Sequence, residues 1–530
     1  MSATTGVPAS ITTPDTVQTT RLGTLEFDDG APTPETAARL YDNLDFSRGV
    51  EAFLNSYQAA STYAIRKGFL DAGVEDNQIL IFTELMDSAS LFLTANSDTV
   101  YFLGFVDLTD GPLVIDVPAL PAPSAILGTV DDMWFRWVTD FGVPGPDRGE
   151  GGRYLLVGPG YDGPLPDGGF HVSRVATTRA CVLGRAFMID NDPAPAVAAI
   201  KAGFRIRPYR PGASGTAVAS FLAGHAPLAG PPVAAEETVF VDAQHLAMNT
   251  IPPNDFGFWP LIDEMVQEEP PGAGDPEVMG QLAAIGIRKG RAFAPDERMR
   301  AILEEAVAVG NATARTLFFA ARESEGFAYY PGSAWFNGLW VGGYQFLTPP
   351  PEITAEGVVQ HESDGARKLN SRIAFLYPAT GVTPAMCMRL TGIGSQYLIA
   401  SRDADGSYLD GARHYRLHLP AGIPESRFWS VMLYDRQTRS MLQTDQRMPR
   451  LGSQSGTVEQ NPDGSTDLYF GPSAPAGHEH NWLQTIPGKG WFPILRLYSP
   501  LKSFFDKTWR PSEFEPYSAG SNGHDPNTGR

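Results

Sequence analysis

A chain of 530 residues has room for two to four domains, and 42% apolar with 19% charged residues excludes a disordered or fibrous polymer. A net charge of −20 repels phosphate backbones and anionic lipid surfaces, so neither nucleic acid nor a membrane is an expected partner. Fifty-five glycines and 45 prolines interrupt the chain often, which favours many short strands over a helical bundle. The two cysteines, Cys181 and Cys387, have no C-x-x-C companion, so a disulfide framework or cysteine zinc site is not indicated; one long-range disulfide stays open.

In chain order, residues 1–32 are rich in Thr, Ser and Pro without apolar periodicity and read as a mobile or loosely docked arm. They lack the basic start and apolar run of a secretory signal, and no stretch of the chain is apolar enough for a membrane span, so a cytoplasmic location is expected. At Thr33 a helical pattern begins, with Val50, Phe53, Leu54 and Tyr57 at helical spacing. The runs LFLTANSDTVYFLGFVDLT, GPLVIDVP, SAILGTV, MWFRWVTDFG and GRYLLVGPGY then predict strands, giving a helix plus a β-sandwich over 33–190. Residues 191–384 hold four segments with acidic caps and helical periodicity and predict a mostly helical connecting region. Six strand candidates from AMCMRLTG to FPILRLYSP predict a second β domain over 385–515, followed by a tail at 516–530.

Two long blocks carry a family resemblance. NSDTVYFLGFVDLTDGPLVIDVP with DDMWFRWVTDFGVPGPDRGEGGRYLLVGPGY resembles the domain of unknown function numbered 1254, and WSVMLYDRQTRSML, NPDGSTDLYFGP and NWLQTIPGKGWFPILRLYSPLKSFFDKTWRPSEFE resemble its C-terminal companion numbered 1214. The resemblance implies a mainly β fold with a helical insert (α+β), an immunoglobulin-like β-sandwich followed by helices and a jelly-roll-like β-sandwich. It implies no activity.

Candidate site residues come from polar groups set inside aromatic strands. If extended, Asn96 and Asp98 share a face, with Thr99 and Tyr101 opposite, and an amide beside a carboxylate suits a general base or a hydroxyl clamp; the same NSD also favours a turn. Asp132, Trp134 and Arg136 line one face of an extended segment, or form an ion pair covering a core tryptophan. Asp98 and Asp132 are therefore the candidate acid–base pair, which glycoside hydrolysis would require at roughly 5–9.5 Å. Arg496 and Tyr498 share a strand face and could hold an anion, with Trp482 nearby in a block of cations and aromatics; tying strand to loop is the plainer role. His478 and His480 with Glu479 or Asp467 make the one candidate divalent metal site; no other cofactor is expected.

No G-x-S-x-G, GxxxxGK[ST] or H-E-x-x-H motif occurs. The expectation is an enzyme, a hydrolase or lyase, acting on a small or oligomeric polyhydroxylated or anionic compound in an inter-domain cleft. Asp98 and Asp132 would do acid–base work, while Asn96, Tyr101, Trp134, Arg136, Arg496, Tyr498 and Trp482 bind substrate. A non-catalytic small-molecule or carbohydrate-binding protein is the alternative, and a homo-oligomer is compatible with either.

Overall fold

The computed structural model of the chain describes residues 7–210, 237–244, 246–354 and 356–518. The architecture is mixed α+β, with two β-sandwiches joined by helices, and none of the described sheets closes into a barrel.

The first segment differs from the expected loose arm. Strands Thr16–Thr19, Gly23–Asp28 and Ala31–Pro32 form a small sheet, and Thr36 Oγ1 and Arg39 fasten it to the helix that follows. Its order rests on these hydrogen bonds and on one buried residue, Leu25, so no apolar alternation marks it. The helix Pro34–Asp71 starts where Thr33 Oγ1 accepts the Thr36 amide and Pro34 supplies a preset φ. Its second half is buried almost all round, from Asn55 to Arg66, because the helices Phe258–Glu268, Pro276–Ala284, Glu297–Phe319 and Leu369–Leu376 pack around it.

The first sandwich stacks a six-stranded sheet on a four-stranded one. Val100, Phe102, Val106 and Val182 of the former meet Leu113, Ile115, Tyr154 and Leu156 of the latter. This unit runs past residue 190: the helix Ala194–Gly203 adds Val197 and Ile200 to its core, Arg205–Pro208 pairs with Leu113–Val117, and Phe240–Asp242 pairs with Ile79–Ile81. Strands of three or four residues are too short to stand out beside helical segments, which is why the sequence places them in the connecting region.

The second sandwich has two four-stranded sheets. One contains Ser395–Ile399, Trp491–Pro500, Glu425–Asp435 and Arg450–Gly452; the other contains Trp482–Gln484, Thr466–Gly471, Tyr415–Leu419 and Glu515–Pro516. Period two governs both long strands of the first sheet. Val431, Leu433, Leu495 and Leu497 fill the sandwich, while Met432, Tyr434, Phe492 and Ile494 turn outward into a core shared with Leu103 and Phe105 of the first sandwich and with the helices. Each sandwich thus buries both faces of one sheet, and the shared core makes the seam between them.

Cys181 and Cys387 are both free and buried, so the long-range disulfide does not form. Among the described residues no helix is long and apolar enough to cross a membrane.

Candidate functional site at the seam between the sandwiches

Two sheets that meet across a seam must satisfy every polar group they trap there. The segment 87–98 threads the seam: Thr94 N donates to Arg439 O, Tyr434 OH donates to Ala95 O at 2.6 Å, and Arg496 Nη2 donates to Thr94 O at 2.6 Å. Beside it lies a cavity of about 140 Å³. Its apolar wall includes Phe92, Leu103, Phe318, Phe336, Phe375 and Ile494, and its polar wall gathers Asn96, Tyr101, Arg185, Ser395, Tyr397 and Arg496. An engineered apolar cavity of roughly 150 Å³ holds benzene, so the space suits a small organic body.

Strand register builds the polar wall. Arg185 pairs with Tyr101 in the first sandwich, and Tyr397 pairs with Arg496 in the second. Arg185 Nη2 donates to Ser395 Oγ at 2.9 Å and to Tyr397 OH at 3.3 Å, which joins the two halves. Ser395 Oγ and Tyr397 OH are 2.7 Å apart. The Arg496 guanidinium lies over the rings of Tyr397 and Tyr434 at 5.5 and 5.4 Å. Arg496 is 3% exposed, and its Nη1 has no hydrogen-bond partner. Burial disfavours charge on Arg185 and Arg496, and the facing tyrosines outweigh it, so both stay protonated. A wall with two guanidiniums and few acids attracts an anion.

The predicted residues separate into three places. Asn96 sits in a turn: its Oδ1 accepts the Asp98 amide and the Thr99 hydroxyl, while Nδ2 donates to Tyr101 OH at 2.8 Å. Asn96, Tyr101 and Arg496 line the cavity. Asp98 and Tyr498 lie behind the polar wall. Asp98 Oδ2 accepts Ser430 Oγ at 2.5 Å and Tyr498 OH at 3.1 Å, and Arg450 Nη1 stands 3.5 Å from Oδ1. That carboxylate is a fully buried brace between the sandwiches, its Oδ2 taken up by two hydroxyls and its Oδ1, without a hydrogen-bond partner, facing Arg450.

Asp132, Trp134 and Arg136 are elsewhere. Asp132 pairs with Ala180 while Arg185 pairs with Leu127, and five residues at about 3.3 Å each put it roughly 16 Å along the sheet from the cavity end, where Asp98 precedes Val100. The Asp98–Asp132 acid–base pair is thereby overturned. The extended reading of the segment fails too, because residues 133–136 form a tight turn with Phe135 at φ 49°. Asp132 caps that turn through the Trp134 and Arg136 amides and pairs with Arg136 Nε at 2.6 Å, and Arg136 Nη2 reaches Ala273 O. Trp134 is core. Replacing Asp132 by Asn is expected to cost about 1–3 kcal/mol in urea unfolding and to leave ligand affinity at the cavity unchanged.

Trp482 is also remote, on an edge strand with its Nε1 donating to Gly471 O. The histidine site disperses as well. Residues 479–481 are a 3₁₀ turn, where neighbours two apart do not share a face; the His478 ring stacks on Tyr469, and Asp467 accepts from His418 Nδ1 and Asn461. Among the described residues no three His, Cys, Asp or Glu side chains gather as a metal site.

Residue-level reading of the sequence missed Arg185 and Tyr397. The signal was present: in ACVLGRAF, Arg185 falls on the face of Cys181 and Leu183, a lone cation in apolar period two. The structure also builds an acidic corner behind the loop 381–383. Asp131 Oδ2 accepts the Val382 amide at 2.9 Å, and Asp140 accepts Trp137 Nε1 and Thr383 Oγ1. Gly381, at φ +80°, is needed there, since a Cβ would stand 2.6 Å from Leu183 Cδ1 and 2.9 Å from Asp131 Oδ2. Burial drives the Asp131 carboxyl well above its ordinary value, helped by Asp140 and Asp132, and burial pushes Asp140 up to about 6. A raised folded-state value means the native protein binds more protons than the unfolded chain, so stability falls as pH rises. The melting temperature should drop between about pH 4 and pH 7, and less so in Asp131→Asn.

Residues 77–208 match the family described as "Protein of unknown function (DUF1254)", and residues 394–502 match "Protein of unknown function (DUF1214)". The chain thus carries a match to each of these two family models, DUF1254 before the helical region and DUF1214 after it. The cavity lies where they meet: DUF1254 supplies Asn96, Tyr101 and Arg185, DUF1214 supplies Ser395, Tyr397 and Arg496, and the connecting helical region supplies Phe318, Phe336 and Phe375. The crystal structure of the VPA0106 protein from Vibrio parahaemolyticus is similar at a TM-score of 0.50 and 17% identity, over 89% of this chain and 100% of that one, which shows a shared fold. A putative uncharacterized protein from Burkholderia cenocepacia covers 91% of this chain and 97% of its own at 13% identity and a TM-score of 0.37. No curated protein matches.

Proposed function

We propose that the DUF1254–DUF1214 pair forms an enzyme for a small anionic organic compound, held in the seam cavity with its charge on Arg185 and Arg496 and its apolar body against the phenylalanine wall. The observation that carries this reading is the buried, unpartnered Nη1 of Arg496 in a wall of two guanidiniums. A buried donor left without an acceptor costs about 1–3 kcal/mol, a cost that a bound carboxylate would remove. Apolar lining opposes a polyhydroxylated ligand, and hydrolysis by paired carboxylates loses its pair, so elimination is the chemistry retained from the two expected.

Simple carriage of the same ligand is the second reading, favoured by one observation: Asp98 and Asp132, the acids expected to do chemistry, are both engaged in structural bonds. Thermal-shift titration with phenylacetate against phenylacetamide tests the common part of both readings. The acid should raise the melting temperature and the neutral amide should not. Equal shifts, or none with either, would refute the anion site.

A further inference from the structure

Four tyrosine hydroxyls surround the two arginines, and their partners differ. Tyr434 OH donates to Ala95 O, and Tyr498 OH donates to Asp98 Oδ2. Both therefore keep their protons. Burial pushes the Tyr101 phenol up, and its oxygen accepts only from the neutral Asn96 amide. The Tyr397 oxygen receives Arg185 Nη2 at 3.3 Å and stands 2.7 Å from the Ser395 hydroxyl, whereas Tyr434, which also meets a guanidinium, that of Arg496, commits its own proton to Ala95 O. Arg185 Nη2 also donates to Ser395 Oγ, which leaves that hydroxyl's own proton free to point at Tyr397. An oxygen that receives a cationic donor and a hydroxyl donor is arranged to carry negative charge.

We propose that Tyr397 is the catalytic proton acceptor of the cavity, removing a proton from the carbon next to a carboxylate held on Arg185 and Arg496. This rests on the anion-site reading above. In the step the C–H bond breaks, its proton bonds to the Tyr397 oxygen, and its electron pair moves into the carboxylate to give an enediolate. The second negative charge so created faces the two guanidiniums. Where the next carbon carries a hydroxyl, the pair instead completes a carbon–carbon double bond and expels the hydroxyl. The departing oxygen takes the proton from Tyr397 and leaves as water, so no oxidant or reductant is consumed.

The charge environment agrees with this role. Burial raises the Tyr397 phenol, and Arg185 and Arg496 more than reverse it, so the group ionises below its ordinary value. Facing it as well are Tyr101 and Tyr498, with Asp98 behind Tyr498. A lowered phenol is a better base near neutral pH because more of it is ionised there.

Phenylacetate is the probe, since it has an apolar ring, a carboxylate and an exchangeable carbon between them. Calorimetry reports binding, and proton NMR in heavy water reports loss of the methylene signal as deuterium enters. The wild-type chain should bind and exchange, while Tyr397→Phe should bind and lose about 100-fold of the exchange rate. A melting curve of that variant matching the wild type separates lost chemistry from lost folding. Binding by the wild type without exchange, or equal exchange by Tyr397→Phe, overturns the role of Tyr397 and leaves the anion site standing. Absence of binding overturns both.

Discussion

Replacing Asp98 by Ala should destabilise the protein by about 3–5 kcal/mol, the loss expected when one member of a buried charged network is removed. The carboxylate is 0% exposed and is approached by Ser430, Tyr498 and Arg450, all three from the second sandwich, while Asp98 itself belongs to the first. Without it, two hydroxyls and a half-paired guanidinium are left in the seam with no acceptor. Asp98→Asn should recover part of the loss, because the amide oxygen still accepts from Ser430 or Tyr498 but cannot balance Arg450. Urea unfolding of the two variants measures this directly. An Asp98→Ala protein as stable as the wild type would show that the seam is held elsewhere.

Replacing Arg496 by Met should weaken phenylacetate binding by about 100-fold, roughly 2.7 kcal/mol, while the chain stays folded. Methionine keeps most of the stem's packing volume, and three consequences of losing the guanidinium oppose one another. The bond to Thr94 O and the contacts with the Tyr397 and Tyr434 rings are lost, but the desolvation of an unpartnered Nη1 is relieved. The affinity loss has no such offset, because the carboxylate would have only Arg185 left. Calorimetric titration reads the binding constant, and a melting curve of the same sample reads the fold. Unchanged affinity would exclude Arg496 from the site.

Period two made the sheet faces legible. Leu495 and Leu497 fill the second sandwich while Arg496 and Tyr498 face the seam, as alternation along FPILRLYSP requires. The same rule would have found Arg185, since it shares the Cys181 and Leu183 face. It failed at MWFR, where the strand breaks: alternation holds only within extended backbone, and Phe135 at φ 49° folds the segment back so that Asp132 binds its own turn. Turn chemistry was legible at Asn96, whose side chain closes on the Asp98 amide as the NSD triplet allows.

Distance was the part no local pattern could carry. Asp98 and Asp132 are similar in sequence surroundings, yet strand register puts one at the seam and the other near the far end of the same sheet. The pairing of Arg185 with Ser395 and Tyr397 joins residues about 210 positions apart, and it exists only because two sheets of different sandwiches share one core. The short strands Arg205–Pro208 and Phe240–Asp242 were hidden for a related reason: their place in the sheets is set by neighbours far away in the chain.

Anomalous diffraction from crystals grown with 4-bromobenzoate locates a small organic acid without any assumption about chemistry. The account predicts a bromine peak among Phe92, Phe318 and Phe336, with the carboxylate density meeting the Nη1 of Arg496 and the guanidinium of Arg185. A seam cavity empty of bromine at saturating acid, with the label bound elsewhere or nowhere, would contradict it.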